Sequence, residues 1–311
     1  MARKFLVTGG AGFIGSNIVE ELLHRGESVR VLDNFSTGKR ENLIPYLNDI
    51  ELIEGDIRSY HIVHDAVEGI DVVLHQAALP SVPRSVKDPI TSNEVNVVGT
   101  LNILMAARDA EVQRLVYASS SSVYGDNPEL PKHEGMPPNP LSPYAVSKLA
   151  GEKYCGVFSQ LYGLETVCLR YFNVFGSRQD PTSQYSAVIP KFITAMMADR
   201  RPVIYGDGEQ SRDFTYVANV VEANLLAATA QCETPLTINC ASQGQITLND
   251  LVARINKIMG KNVDPLYEKP RAGDIKHSFA SIQLAVEKIR YSPKVSFDEG
   301  LERTIKSSTS F

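Results

Sequence analysis

Four cysteines in 311 residues (Cys155, Cys168, Cys232 and Cys240) are too few and too scattered for a disulfide framework, and no CxxC pair supplies half of a zinc site. They read as small apolar core residues in a reducing compartment. No uncharged apolar run of 18 residues occurs, so a membrane-spanning helix is not expected. Neither sign of charge dominates: 31 Lys and Arg stand against 36 Asp and Glu, a formal balance of -5, which offers no broad basic surface to nucleic acid or to an anionic membrane. Repeats and low-complexity tracts are missing as well. The basic start, Met1 to Lys4, meets only Phe5 to Thr8 before Gly9, Gly10 and Gly12 break the run, far too early for a signal-peptide core. These absences lead to the expectation of a cytoplasmic protein. What remains is an ordinary globular composition, 43% hydrophobic and 22% charged, with material for one large or two modest cores.

Short apolar runs alternate with helical stretches. Strands are predicted at Phe5 to Thr8, Ser28 to Leu32, Ile50 to Glu54, Asp71 to His75, Leu115 to Ala118 and Glu165 to Arg170. Helices are predicted over Asn93 to Ala110 and Tyr144 to Leu161, and a first helix enters after Gly15 and stops at Gly26. That alternation predicts an α/β fold: a Rossmann-like parallel sheet covered on both faces, with a smaller mixed α/β substrate-binding domain after it. The boundary is placed near Phe175, giving residues 1–175 and 176–311, with elements of the second part allowed to return to the first. In that second part Val188 to Asp199, Val217 to Gln231 and Leu248 to Met259 look helical, the last capped by Thr247. Val203 to Tyr205 and Leu236 to Asn239 look like short strands, and the Ser307 to Ser310 end is expected to fray.

The segment TGGAGFIG places Gly9, Gly12 and Gly15 between a strand and a helix. Gly9 suits the tight turn, Gly12 lets a pyrophosphate approach the backbone, and Gly15 permits close helix–strand packing. The helix N-terminus would then face phosphate with free N–H groups and a favourable dipole. Asp33 ends the next strand, 18 residues after Gly15. A carboxylate there accepts ribose hydroxyls and repels a 2′-phosphate, which favours NAD over NADP. Asp56, at the third strand end, is placed to accept from the adenine amino group or to serve as a loop carboxylate.

Tyr144 and Lys148 form YxxxK on a predicted helix and share one face. Such a tyrosine becomes a base near neutral pH only if cations favour its phenolate, since a free tyrosine titrates near 10. Lys148 and a nicotinamide cation would supply that field, and Lys148 can also bond the nicotinamide ribose. Ser120, near a strand end, can hydrogen-bond the reacting oxygen.

In order along the chain, TGGAGFIG, Asp33, Asp56, ASSSSVYG, YAVSK, RYFNVFG, SRDFTYV and PRAGD resemble the extended short-chain dehydrogenase/reductase family, and its UDP-hexose 4-epimerase branch above all. The resemblance spans essentially the whole chain. It implies tightly retained NAD, a UDP-sugar substrate, and a homodimer joined through two helices of each subunit, here Asn93 to Ala110 and Tyr144 to Leu161. It makes Ser120, Tyr144 and Lys148 catalytic. It extends the cofactor set to Phe13, Ile14, Asn34, Ser36, Thr37, Gly38, Ile57, Gln76, Ala77, Ala78, Asn96 and Tyr171, with Asn96 read as more structural than chemical. Ser121 and Ser122 stand where dehydratase relatives carry an Asp-Glu pair and decarboxylase relatives a glutamate at the second position. Dehydration and decarboxylation are therefore disfavoured.

On the substrate side the resemblance makes Arg212 and Arg271 diphosphate ligands, for which two guanidinium forks are well suited. Asn173 is expected to orient a phosphate or sugar oxygen, and Ala187 and Val188 to line the nucleotide pocket. Tyr205 fits either a place near the base or an ordinary core. Asp274 either accepts from the uridine ribose or pairs with Lys276. Pro80, Ser81 and the surrounding QAALPSVPRS, together with Ser278, resemble relatives that accept 2-acetamido sugars; a bulky tyrosine at the position of Ser278 would occupy the volume an N-acetyl group needs. The expectation is NAD-dependent C4 interconversion of UDP-N-acetylglucosamine and UDP-N-acetylgalactosamine, with UDP-glucose and UDP-galactose also accepted. A strict UDP-glucose 4-epimerase is the nearest alternative. A UDP-glucuronate 4-epimerase or decarboxylase, and a noncatalytic nucleotide-sugar sensor, stand further off.

Overall fold

The computed structural model describes residues 2–181, 187–270 and 276–309. Its first half alternates strand and helix: β1 (Lys4–Thr8), α1 (Phe13–His24), β2 (Ser28–Asp33), β3 (Ile50–Glu54), α2 (Tyr60–Val67) and β4 (Val72–His75). Next come α3 (Val82–Lys87), α4 (Pro89–Asn93), a π-helical stretch at Glu94–Gly99 and α5 (Thr100–Asp109), then β5 (Arg114–Ser120), α6 (Pro143–Tyr162) and β6 (Glu165–Tyr171). The predicted helix from Asn93 to Ala110 is thus interrupted by the wider π turns. Ser142 caps α6 by accepting from the Ala145 N–H, Pro143 fits its first turn, and Gly163 in the left-handed region ends it.

Beyond Tyr171 the elements shorten: β7 (Val174–Phe175), α7 (Val188–Met197), β8 (Val203–Tyr205), β9 (Ser211–Arg212), β10 (Thr215–Tyr216) and α8 (Val217–Thr229). They continue with β11 (Leu236–Cys240), β12 (Ile246–Thr247), α9 (Leu248–Met259), β13 (Leu266–Glu268), β14 (His277–Ser278), α10 (Gln283–Ile289) and α11 (Phe297–Thr309). Thr247 caps α9 through its hydroxyl, which accepts from the Asp250 N–H at 3.0 Å. Within the end expected to fray, α11 carries Ser307 and Ser308 as helix, their hydroxyls bonded back to Thr304. Ser310 lies outside the described residues.

The main sheet is parallel, in the order β11-β6-β5-β4-β1-β2-β3. Strands such as FLVT in β1 and VVLH in β4 are buried on both faces, as a parallel sheet requires. One face is covered by α1 and α8, the other by α2, α5 and α6. The strand order turns back between β1 and β4, so a crevice opens at their carboxyl ends. Both α8 and β11 come from beyond Phe175 yet pack on or join this sheet. The smaller lobe holds three small sheets: the β7–β10 and β8–β13 pairs and the β12-β9-β14 triple, with α7 against α9. Among the described residues no helix is long and apolar enough to cross a membrane.

Candidate active site

The crevice at the β1/β4 switch contains a cavity of about 670 Å³. Its floor is the glycine turn. Gly9 holds φ +69, where an added Cβ would come within 2.7 Å of the Ala77 nitrogen; at Gly15 it would come within 2.2 Å of the Gly9 carbonyl oxygen. No side chain larger than hydrogen fits either place. Gly12 then opens α1, and no acidic residue occupies the first turn, so the N–H groups there face the cavity without a competing carboxylate.

Phe13, Ile14, Asn34, Ser36, Thr37, Gly38, Ile57, Gln76, Ala77, Ala78 and Tyr171 all line this cavity, as do Gly9, Gly12 and Gly15. So do Asp33 and Asp56. Asp33 shapes its own surroundings: one oxygen accepts from the Ala11 N–H at 2.9 Å, the other from Phe35 at 2.8 Å. Burial raises its pKa against those two bonds. Asp56 is engaged more heavily, by the Arg58 guanidinium and by Asn34, which hold its carboxyl down at about 2. Asn96 stands behind the wall rather than on it: its amide accepts from the Leu79 N–H and donates to the Leu79 carbonyl and Ser147, a saturated brace for the strand-end segment. Lys39, Gln179 and Asp180, which belong to no motif, also line the cavity, as does Arg84 of QAALPSVPRS, and Asn224 tethers Gln76 and Tyr171 from α8.

The three residues expected to be catalytic, Ser120, Tyr144 and Lys148, come together at the junction of β5 and α6. Tyr144 is half-buried on the cavity wall, and Lys148 follows one turn later. Lys148 Nζ donates to the Ala118 carbonyl at 2.8 Å and lies 6.0 Å from the Tyr144 ring centre. Burial lowers the Lys148 pKa to about 8. Burial also raises that of Tyr144, while a hydrogen bond with Ser120 acts in the opposite direction. A cation beside the ring favours its phenolate. Ser122 Oγ lies 2.9 Å from Ser120 Oγ; Ser120 ends β5, Ser121 starts the turn of 3-10 helix that carries Ser122, and none of these three expected substrate contacts lines either cavity, because the strand end and the turn hold them behind the wall. One turn beyond Lys148, Glu152 was not marked by sequence reasoning; it is buried between Ser119 and Arg170, which reaches it at 2.9 and 2.8 Å.

A second cavity, of about 680 Å³, adjoins the first through Ala187, which lines both. Asn173, Val188, Tyr205 and Arg212 line it. Pro80 and Ser81 sit on the first cavity instead. Ser278 lies on neither wall; its strand pairs directly with Arg212. Arg271 and Asp274 lie outside the described residues. Among the described residues no group of His, Cys, Asp and Glu is arranged to hold a metal.

A model of the NAD dependent epimerase/dehydratase family matches residues 5–241. The chain belongs to this family. It is similar to the UDP-N-acetylglucosamine 4-epimerase of Methanobrevibacter ruminantium, solved in complex with UDP-N-acetylmuramic acid, with 42% identity, a TM-score of 0.95 and 99% of each chain covered. The UDP-glucose 4-epimerase of Thermotoga maritima, solved with UDP-glucose, is 36% identical with a TM-score of 0.94 over 99% of each chain. That of Thermus thermophilus, solved with NAD, is 39% identical with a TM-score of 0.88 over 98% of each. As a member of the NAD dependent epimerase/dehydratase family the chain is an NAD-dependent enzyme, and the glycine floor, the α1 N-terminus and Asp33 suit that cofactor chemically.

Proposed function

We propose that this member of the family is a UDP-hexose 4-epimerase that takes UDP-N-acetylglucosamine and UDP-N-acetylgalactosamine as well as the UDP-glucose and UDP-galactose pair. The observation that carries the reading is the junction itself: Tyr144 and Lys148 on the cofactor cavity, at the end of the strand that carries Ser120, beside a second cavity bearing Arg212.

Bound NAD supplies reversible hydride acceptance at the sugar C4. The Tyr144 oxygen takes the proton from O4 on the outward step and returns it on the way back. Ser120 holds the same oxygen in line, and Lys148 contributes positive charge that favours the phenolate. Arg212 and Arg271 keep the diphosphate in place while the hexose turns over between the two transfers, so the opposite face of C4 receives hydrogen. With Ser121 and Ser122 where a carboxylate acid would be needed, the cycle ends at epimerisation.

Acetylated substrates are favoured by the likeness to the Methanobrevibacter enzyme; Ser278, although paired with Arg212, lies on neither cavity wall and adds only the family resemblance. A strict UDP-glucose enzyme is the second reading, favoured by the likeness to the Thermotoga and Thermus enzymes. Purified protein incubated separately with UDP-N-acetylglucosamine and UDP-glucose decides between them, the C4 epimers being resolved by chromatography and identified by proton coupling. Both substrates are expected to react. Turnover of UDP-glucose alone would favour the strict reading, and turnover of neither, with NAD added, would refute the proposal for both substrate pairs and make UDP-glucuronate the next substrate to test.

The homodimer belongs to the same reading. Of the two helices expected to join the subunits, Tyr144 to Leu161 exposes Val146, Val157 and Leu161, the last at 69%, and Asn93 to Ala110 exposes Val98; Val86 on α3 and Ile90 on α4, which pack against α6, extend that apolar surface. Light scattering is expected to give twice the chain mass.

A further inference from the structure

One carboxylate next to the substrate cavity has no part in the proton and hydride steps. Asp213 follows Arg212, has no solvent exposure, and lines neither cavity. Its two oxygens accept from the Ser242 N–H at 3.0 Å and the Ala280 N–H at 3.3 Å, and the backbone amides of Gln243 and Gly244 bond to it as well. These donors lie in irregular segments, with Gln243 at φ 59, so they have no regular ladder to satisfy them. A carboxylate offers about four acceptor positions and can serve them together. Burial pushes the carboxyl up to about 6, with the amide bonds acting against that rise.

The backbone of the same residue ties down the cavity. The Asp213 N–H donates to the Ser278 carbonyl at 2.8 Å, and its own carbonyl accepts from Asn173 Nδ2 at 3.2 Å. Asn173 and Arg212 are both on the cavity wall, and Ser278 is the strand partner of Arg212. Three segments remote in sequence therefore converge on one buried residue.

We infer that Asp213 is a positioning residue for nucleotide-sugar binding: its amide-caged carboxylate fixes the segment that holds Arg212, Asn173 and Ser278 in mutual register. This rests on the UDP-sugar reading of the second cavity. Asp213→Asn keeps the shape but turns an NH2 donor toward backbone N–H groups, which loosens the cage. The expected result is about a tenfold weaker affinity for UDP by calorimetry and the same rise in KM for UDP-glucose, with kcat within about threefold and NAD content unchanged; a tenfold loss matches one charged hydrogen bond. Unchanged UDP affinity and KM, with only a lower melting temperature, would overturn the inference and leave Asp213 a residue of the fold. Failure of the wild type to bind UDP would sink the underlying reading and this inference together. Should the Asn variant not fold, hydrogen exchange on the wild type decides: the amides of Ser242, Gly244 and Ala280 are expected to be protected before substrate is added, and exchange at open-loop rates would contradict the cage.

Discussion

The two halves of the site are built in different ways. In the dinucleotide half, successive parallel strands deliver their ends to one crevice, so Gly9, Asp33, Asp56 and Gln76 arrive in chain order at the carboxyl edge of β1, β2, β3 and β4. Backbone geometry does most of the shaping there, through a turn that admits no Cβ. In the sugar half the groups come from two-residue strands and loops. Arg212 is set by pairing with Ser278 and Ile246, and Asn173 by a bond to Asp213. The first half is a rigid feature of the sheet, whereas the second is a set of side chains on short elements held by a buried carboxylate. An enzyme that keeps one cofactor and turns its substrate over gains from that division: the fixed partner sits on the sheet, and recognition sits where changes leave the sheet intact.

Four substitutions sharpen or break this contrast. The largest effect on turnover is expected at the junction of the halves, where Tyr144→Phe removes the proton-accepting oxygen and lowers kcat by roughly 10²- to 10⁴-fold, with NAD content unchanged. Near-normal kcat in that variant would remove Tyr144 from the mechanism. Arg212→Met acts on the sugar half alone: a lost charge-assisted contact raises KM for the UDP-sugar by about 10- to 100-fold. NAD content after gel filtration should be the same as in wild type, and its loss would mean that the halves are not separable. If the family reading of position 278 holds, Ser278→Tyr is selective, lowering kcat/KM for UDP-N-acetylglucosamine more than about tenfold while UDP-glucose changes by less than about threefold, because the added ring extends from the strand beside Arg212 toward the volume an acetyl group needs. Equal losses on both sugars would show that residue 278 does not face the acetyl group.

The smallest effect on turnover is expected at His75, buried at the end of β4 and off the cavity wall. It is buried between Thr8 and Thr100, and burial drives its pKa down to about 3. The unfolded chain takes up this proton near 6.5 and the native protein does not, so between about pH 6.5 and pH 3 the unfolded state binds more protons and stability falls as pH falls. From pH 7 to pH 5 this single group costs about 2 kcal/mol. His75→Asn should flatten the pH dependence of urea unfolding by that amount while kcat at pH 7 stays near wild type. An unchanged slope would place the acid sensitivity elsewhere.

The same contrast explains what was legible in the sequence. The strand–turn–helix at Gly9 to Gly15, the acid at Asp33 and the YxxxK spacing are local patterns, and every one of them lines the cofactor cavity. Pocket-wall residues without a pattern of their own, such as Ala187 and Tyr205, were reached through family resemblance rather than physics. Glu152 belongs to no motif, and Asp213 stands inside SRDFTYV without a role of its own there, because a buried charge is recognisable only from partners distant in sequence: Ser119 and Arg170 for one, Ser242 and Ala280 for the other. The return of β11 to the edge of the main sheet likewise depends on pairing with β6 and leaves little trace in the composition of Leu236 to Cys240.

The central claim is that the hydrogen removed from C4 is the one put back. UDP-glucose carrying deuterium at C4 tests it directly: incubated with the enzyme in ordinary water, the UDP-galactose formed should retain the full label at C4, because the hydrogen travels as hydride and only the O4 proton passes through Tyr144. Epimerised product with protium at C4 would contradict the account, since it would mean that C4 exchanges its hydrogen with solvent.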